Sequence, residues 1–305
     1  MRITNAQITA MMHSSMNANS AELGKLMQQM SSGQRILQPS DDPIASVRML
    51  RIQREEASLT QFRSNITMVS GNLSTQETNL SSMSDLSLNV RDLLLWAANT
   101  GANAGEDVAA MAGELASLEQ TLVSYVNVRD EEGRYLFAGT LSDRPAVVFD
   151  AATQTYVANG NDKHRQAAVA NGVLVDENTT ALEIFGPGMD LLNQLHATVA
   201  VLQDPALDIT DPAVAQQIRD TIDQLDLTHG QMLGAITELG GRQNTLTLLN
   251  GSNEEVSLVN QKLDGELSQL DYAGASIDLN NYQLALQASQ KTYLKINQLS
   301  LFQLL

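Results

Sequence analysis

From Leu59 onward, apolar side chains recur at alternating intervals of three and four. The series runs Leu59, Phe62, Ile66, Val69, Leu73, Leu80, Met83, Val90, Leu94 and Ala97, with polar Gln76 and Ser87 filling the gaps. This is a heptad seam without an internal proline, and it predicts one long helix. Ser40-Asp41-Asp42-Pro43 marks its start, supplying capping oxygens, negative charge for the helix amino end and proline at a first helical position. Asn99-Thr100-Gly101 and Asn103-Ala104-Gly105 close it. A second helix is expected on Val108, Met111, Leu115, Leu118, Leu122 and Tyr125, ending near Glu132-Gly133.

After Phe137 the texture changes to short stretches rich in Val, Thr and Tyr, punctuated by Gly139, Pro145, Asn159-Gly160 and Asn171-Gly172. Thr153, Thr155 and Val157 alternate ahead of Asn159-Gly160, a preferred hairpin turn, and Asn171-Gly172 repeats that signal before Val173-Leu174-Val175. Gly186-Pro187-Gly188 returns the chain to helix. Leu192, Leu195, Val199 and Leu202 form one short stripe, ended by Asp204-Pro205, and Asp211-Pro212 starts the next. Leu225, Met232, Leu239 and Leu246 then recur every seventh residue. Gly240-Gly241 reads as a bend or break in that helix. Beyond Asn250-Gly251 a further heptad series follows on Val256, Leu263, Leu270, Ile277 and Leu284. A parallel stripe of Leu279, Tyr282, Leu286, Ser289, Tyr293 and Ile296 reaches the chain end.

The expected fold is therefore mainly α with a β-rich insertion. Long N- and C-terminal helices pair in a coiled-coil-like bundle, with a small β domain at the tip. Five segments follow: an N-terminal assembly segment (1–40), two bundle halves (41–137 and 187–270) around the insertion (138–186), and a C-terminal assembly segment (271–305). A short isolated helix is marginal in water, so each apolar stripe needs a partner.

Charge narrows the choice of partner. Eighteen basic residues against 35 acidic give a net charge of −17, which disfavours nucleic acid and anionic membrane surfaces. With no cysteine in the chain, disulfides, thiolate metal sites and cysteine nucleophiles are excluded. The first residues, Met1-Arg2-Ile3-Thr4-Asn5-Ala6-Gln7-Ile8, lack the apolar run of a cleaved signal peptide, and no stretch is long and apolar enough to span a bilayer.

Catalysis finds little support. His13, His164, His196 and His229 lie far apart, none at metal-ligand spacing. Asp41-Asp42 is an adjacent carboxylate pair, but neighbours on a backbone usually point apart, and helix capping accounts for it. Phosphate-loop, dinucleotide-fold and nucleophile-elbow patterns are all missing. The reading is a protein that is not an enzyme and has no cofactor or metal.

Met30-Ser31-Ser32-Gly33-Gln34-Arg35-Ile36-Leu37-Gln38-Pro39-Ser40-Asp41-Asp42-Pro43 resembles the bacterial flagellin superfamily, whose members carry a similar S-S-G-x-R-I stretch followed by paired aspartates. Val90-Arg91-Asp92-Leu93-Leu94 with Ala97-Ala98-Asn99-Thr100-Gly101 is similar to another stretch of that superfamily, as are Asp271-Tyr272-Ala273 and Leu284-Ala285-Leu286-Gln287-Ala288-Ser289 near the C-terminus. Pro43 after the aspartates, Gly133-Arg134-Tyr135-Leu136-Phe137-Ala138-Gly139, and the closing Leu299-Ser300-Leu301-Phe302-Gln303-Leu304-Leu305 look more like its hook–filament junction members than its filament subunits. The resemblance covers residues 1 to about 139 and 186–305.

It implies a structural subunit, extracellular in the flagellum and exported unfolded by the flagellar type III apparatus without signal cleavage. The implied partners are copies of itself in a ring, the first hook-associated protein, flagellin and an export chaperone. Filament flagellin is the nearest alternative, and a helical tip protein of a virulence secretion system a more distant one. On this resemblance Ser31, Ser32, Gly33, Arg35, Ile36, Asp41, Asp42 and Pro43 form a joint between the terminal segment and the bundle, and Val90, Arg91 and Leu94 a subunit contact. Leu279, Tyr282, Leu286, Tyr293, Ile296, Leu299, Leu301, Phe302 and Leu305 form a C-terminal assembly seam. The ragged apolar pattern of Ile8, Met11, Met12, Met16, Leu26, Met27 and Met30 suggests that both ends complete their folding on neighbouring subunits, where methionine adapts to non-identical surfaces.

Overall fold

The computed structural model describes residues 5–99, 105–204 and 211–302. In chain order these are α1 (Asn5–Ser32), α2 (Pro43–Asn99), α3 (Gly105–Val126), strands β1 (Val147–Asp150), β2 (Thr155–Ala158), β3 (Gln166–Ala170) and β4 (Val173–Asp176), and helices α4 (Ala181–Phe185), α5 (Asp190–Leu202), α6 (Pro212–Ser268) and α7 (Tyr272–Phe302). They form two compact units: unit 1 holds residues 1–58 and 255–305, unit 2 residues 59–254.

In unit 2 the heptad reasoning translates directly into burial. Of the α2 series only Phe62 stays half-buried; Leu59, Ile66, Val69, Leu73, Gln76, Leu80, Met83, Ser87, Val90, Leu94 and Ala97 are all buried. The apolar members from Ile66 to Ala97 meet Leu115 and Leu122 of α3, Leu192 and Leu195 of α5, and Leu225, Met232, Leu239 and Leu246 of α6 in one core. α6 runs unbroken through Gly240-Gly241 and Asn250-Gly251, so neither pair interrupts it.

Several sequence expectations are corrected. α3 stops at Val126, not near Gly133. Gly133, at φ 79°, belongs to a tight loop in which Asp130 Oδ1 accepts the backbone N–H groups of Glu132 (2.9 Å) and Arg134 (2.8 Å). The β insertion is two separate antiparallel hairpins, β1–β2 and β3–β4. Asn171-Gly172 is the turn of the second, with Gly172 at φ 73°.

Asn159-Gly160, by contrast, is not the turn of the first. Asp150 pairs with Thr155, so the turn is Ala151–Gln154, with Thr153 inside it and Gln154 at φ 55°. Asp150 organises that turn, accepting from Ala152 N (2.9 Å) and Thr153 Oγ1 (2.9 Å). Gly160 is required for space instead: a Cβ there would lie 2.7–2.9 Å from backbone atoms of Ala138.

The second hairpin is held on α2 and α6 within unit 2, where Asn65 Nδ2 donates to Ala168 O (2.7 Å) and Asn253 Nδ2 to Val169 O (3.1 Å). Gln76 holds the segment that follows β4, donating to Glu177 O (2.9 Å) and accepting from Thr179 N (2.8 Å). Arg242 Nη1 donates to Asn178 O (3.1 Å). The polar interruption at Gln76 therefore has a cause: a buried strand end needs its backbone partners.

Candidate assembly surface

The segment between α1 and α2 is fastened by hydrogen bonds to both helices and to the end of α6. α1 ends where Gly33 turns left-handed at φ 72° and its N–H returns to Gln29 O at 2.8 Å. Ser32 Oγ donates to Gln29 O and accepts from Gln34 N, both at 3.3 Å, while Ser31 is exposed. Gln34 then pairs with Gln269 as an isolated antiparallel bridge, flanked by Arg35 N to Ser268 O (2.7 Å) and Leu270 N to Gly33 O (3.0 Å). Arg35 also donates from Nε and Nη2 to Leu267 O (3.2 and 3.0 Å), which caps a free carbonyl at the end of α6. Ile36 is buried beneath.

The two aspartates divide their work. Asp42 is the N-cap of α2: Oδ1 accepts from Ala45 N at 3.0 Å, with Pro43 at the first helical position and Arg35 Nη1 on Oδ2 at 3.1 Å. Asp41 instead fastens the loop. Its Oδ2 accepts from Leu37 N and Gln38 N, both at 3.0 Å, and its Oδ1 pairs with Lys25 of α1 at 2.9 Å. The bond to Lys25 and those two backbone bonds hold the Asp41 carboxyl below the usual carboxylate range. The Ala45 N–H, then Arg35, does the same for Asp42.

α1 and α7 pack as an antiparallel helix pair. His13 lies edge-on to Tyr293 with ring centroids 5.0 Å apart, and Tyr272 Oη donates to Met30 O at 3.0 Å. Leu279, Tyr282, Leu286 and Tyr293 of α7, and Ile8, Met12, Met16 and Leu23 of α1, are all half-buried in this packed pair. Of the apolar residues on the two helices, only Leu26 and Ala275 are buried among the described side chains. The side chains of Ile296, Leu299, Leu301 and Phe302, and all of Leu305, lie outside the described residues.

Unit 1 is turned inside out elsewhere. Between α2 and α6 it buries Ala45, Ser46, Ser257 and Asn260, and Ser257 Oγ donates to Glu56 across the seam. Many of its larger apolar side chains point outward: Ile44 (70% exposed), Val47 (60%) and Leu50 (53%) on α2, and Leu258 (69%), Val259 (56%) and Leu263 (43%) on α6, while Met49, Ile52 and Leu267 are half-buried. Val256, Ile277 and Leu284 are exposed as well, so of the second heptad series only Leu270 is even half-buried. Surfaces of this kind mark association sites. Sequence reading missed the α2 row, although Ile44, Val47 and Leu50 stand at helical spacing.

Val90 and Leu94 are corrected in the other direction. Both are fully buried in the core of unit 2, and Arg91 pairs with Asp226 of α6 at 2.8 Å. The neighbouring exposed apolar residues are Leu88, Leu95 and Trp96.

The histidines are structural in their contacts. His229 Nδ1 lies 3.0 Å from Ser87 Oγ, His164 Nδ1 2.8 Å from Asn178 O, and His196 Nδ1 2.8 Å from Glu119. Tyr156 Oη also donates to Glu119, at 2.7 Å, and burial, aided by that carboxylate, pushes the phenol pKa up. Among the described residues no three His, Asp or Glu side chains are placed to hold a metal, and no helix is long and apolar enough to cross a membrane.

Residues 3–142 match the profile of the bacterial flagellin N-terminal helical region. Over its whole length the chain is 27% identical to flagellar hook-associated protein 3 of Salmonella typhimurium, covering 99% of that protein. A solved structure assigned as a flagellar hook-associated protein from Vibrio parahaemolyticus is 37% identical, covers 75% of this chain and 100% of its own, and superposes with a TM-score of 0.68. The flagellar junction protein from Legionella pneumophila shares the fold at 16% identity, covering 73% of this chain and 100% of its own, with a TM-score of 0.58.

Proposed function

The chain belongs to the flagellar hook-associated protein 3 family of the flagellin superfamily, and from that premise we propose that it is the junction subunit seating the flagellin filament on the hook. It is a structural component of the flagellum and not an enzyme. In this reading a ring of copies binds the first hook-associated protein on one side and flagellin on the other. The chain leaves the cell through the flagellar type III apparatus, and an export chaperone holds residues 271–305 beforehand.

The observation that carries the reading is the inverted packing of unit 1. A pair of helices that buries serine and asparagine and exposes isoleucine, valine and leucine has its apolar surface reserved for other molecules. Residues 1–40 and 271–305 act as assembly segments. Two helices alone leave their shared seam half-exposed, so α1 and α7 gain most of their burial on neighbouring subunits. The joint from Ser31 to Pro43 sets the direction in which α1 leaves the α2 start, and Leu88, Leu95 and Trp96 extend the contact surface beside Arg91.

Deleting the gene in a motile host tests this. Hooks without filaments, with flagellin accumulating as monomer in the medium, are expected. Normal filaments would overturn the junction role, and loss of all flagellin subunits would point to the filament subunit instead.

A further inference from the structure

We propose that copies of this chain pack head to tail through two unlike, complementary faces of unit 1. The α2 face, with Ile44, Val47 and Leu50 among Arg48, Arg51 and Arg54, meets on the next copy the α6 face, with Val256, Val259 and Leu263 beside Glu255 and Glu266. This rests on the assembly reading above and names the contact it requires.

Each face is continuous by helix geometry. At 100° per residue Arg51 falls between Ile44 and Val47 and Arg54 just beyond Val47, and Glu255 and Glu266 stand within a quarter turn of Val259. All the apolar members are exposed. The basic cluster is unusual in a chain with only 18 basic residues against 35 acidic. Glu55 offsets one arginine, and Lys262 one glutamate, which leaves the first face net positive and the second net negative. Among the described residues, none of Arg48, Arg51, Arg54, Glu255 and Glu266 takes part in an ion pair within 4.0 Å.

The two faces are not available to each other within one molecule. The facing sides of α2 and α6 are taken up by Ala45, Ser46, Glu56, Ser257 and Asn260, joined by the Ser257–Glu56 hydrogen bond. Both apolar rows are turned away from that seam. A row of matched apolar residues bordered by opposite charge is what a second copy supplies, and unlike faces meeting head to tail repeat into a ring or a helical array. The charges would set register and exclude a like-on-like contact.

The test uses the full chain in a host lacking its own copy, with R51E/R54E, E255R/E266R and the four-fold swap. The wild-type chain is expected to restore filaments. Each single-face variant should lower the fraction of filamented cells roughly tenfold or more, as like charges face each other. The four-fold swap should recover it, and so should co-expression of the two single-face variants, which can alternate along the assembly. Circular dichroism of the purified variants checks that their helix content is unchanged.

Because the chain has no cysteine, V47C/V259C offers an independent readout. Oxidation in isolated flagella should give a ladder of multiples of this chain, absent from either single variant. Single-face variants that assemble like wild type, a swap that recovers nothing, or cross-links only to another protein would overturn the proposal. A wild-type chain that fails to restore filaments would instead overturn the junction reading.

Discussion

Gln76 stands in a heptad seam where leucine is the expected residue, so Gln76→Leu sets two physical effects against each other. Seam reasoning alone says the variant gains stability, since burying a leucine side chain is worth about 1.5–3 kcal/mol. Gln76, however, is fully buried, and it bonds Glu177 O at 2.9 Å and Thr179 N at 2.8 Å. Leucine would leave both backbone groups unpaired in buried surroundings, at about 1–3 kcal/mol each. With part of that loss offset by the apolar gain, a net destabilisation of about 1–3 kcal/mol is expected. In a body of this size that lowers the melting temperature by about 3–10 °C. Thermal unfolding followed by circular dichroism measures it, and hydrogen exchange locates it: amides of 165–180 should lose protection while those of α3 keep theirs. A Gln76→Leu protein that melts at or above the wild-type temperature would refute the reasoning and reduce Gln76 to a tolerated defect of the seam.

Gly160→Ala should destabilise unit 2 by about 1–3 kcal/mol, because its Cβ would lie 2.7 Å from Ala138 O, and urea unfolding would detect it. Leu80→Ala, which empties a fully buried site, should cost about 2–5 kcal/mol in the same assay. The double change Asp41→Ala, Asp42→Ala removes the α2 cap and the Lys25 tie, so it should lower both thermal stability and motility; unchanged values would count against the joint. Asp41, Asp42 and Asp130 all have carboxyl pKa values held low. For Asp130, burial opposes ionisation but is outweighed by bonds from Arg134. Their stabilisation is thus complete above the unfolded carboxylate value of about 3.9 and is lost as pH falls through the lower folded values. A triple Asp→Asn variant should accordingly show a flatter acid limb in a melting-temperature profile below about pH 5.

The helices, the caps and the family were legible in the residues because each is a local signal. Three-and-four spacing from Leu59 to Ala97 implies a buried helix face wherever the chain lies, and Asp42-Pro43 caps a helix through atoms three residues away. Gly33 and Gly172 likewise announce left-handed backbone. What covers a face is not local. The same seven-residue repeat puts Leu225, Met232, Leu239 and Leu246 in the core but leaves Val256, Leu263, Ile277 and Leu284 exposed. Spacing records that a side chain wants cover and carries no label for whether its own chain or a copy provides it. For the same reason Val90 and Leu94 resemble a family contact yet lie inside, and Gly160 reads as a turn although it only makes room for Ala138. The hairpin's place along α2 and α6 rests on Asn65, Gln76, Arg242 and Asn253, each reaching a backbone carbonyl some 60 to 100 residues away in sequence. Such bonds form only once the helices have already set those residues side by side, so tertiary structure alone decides them.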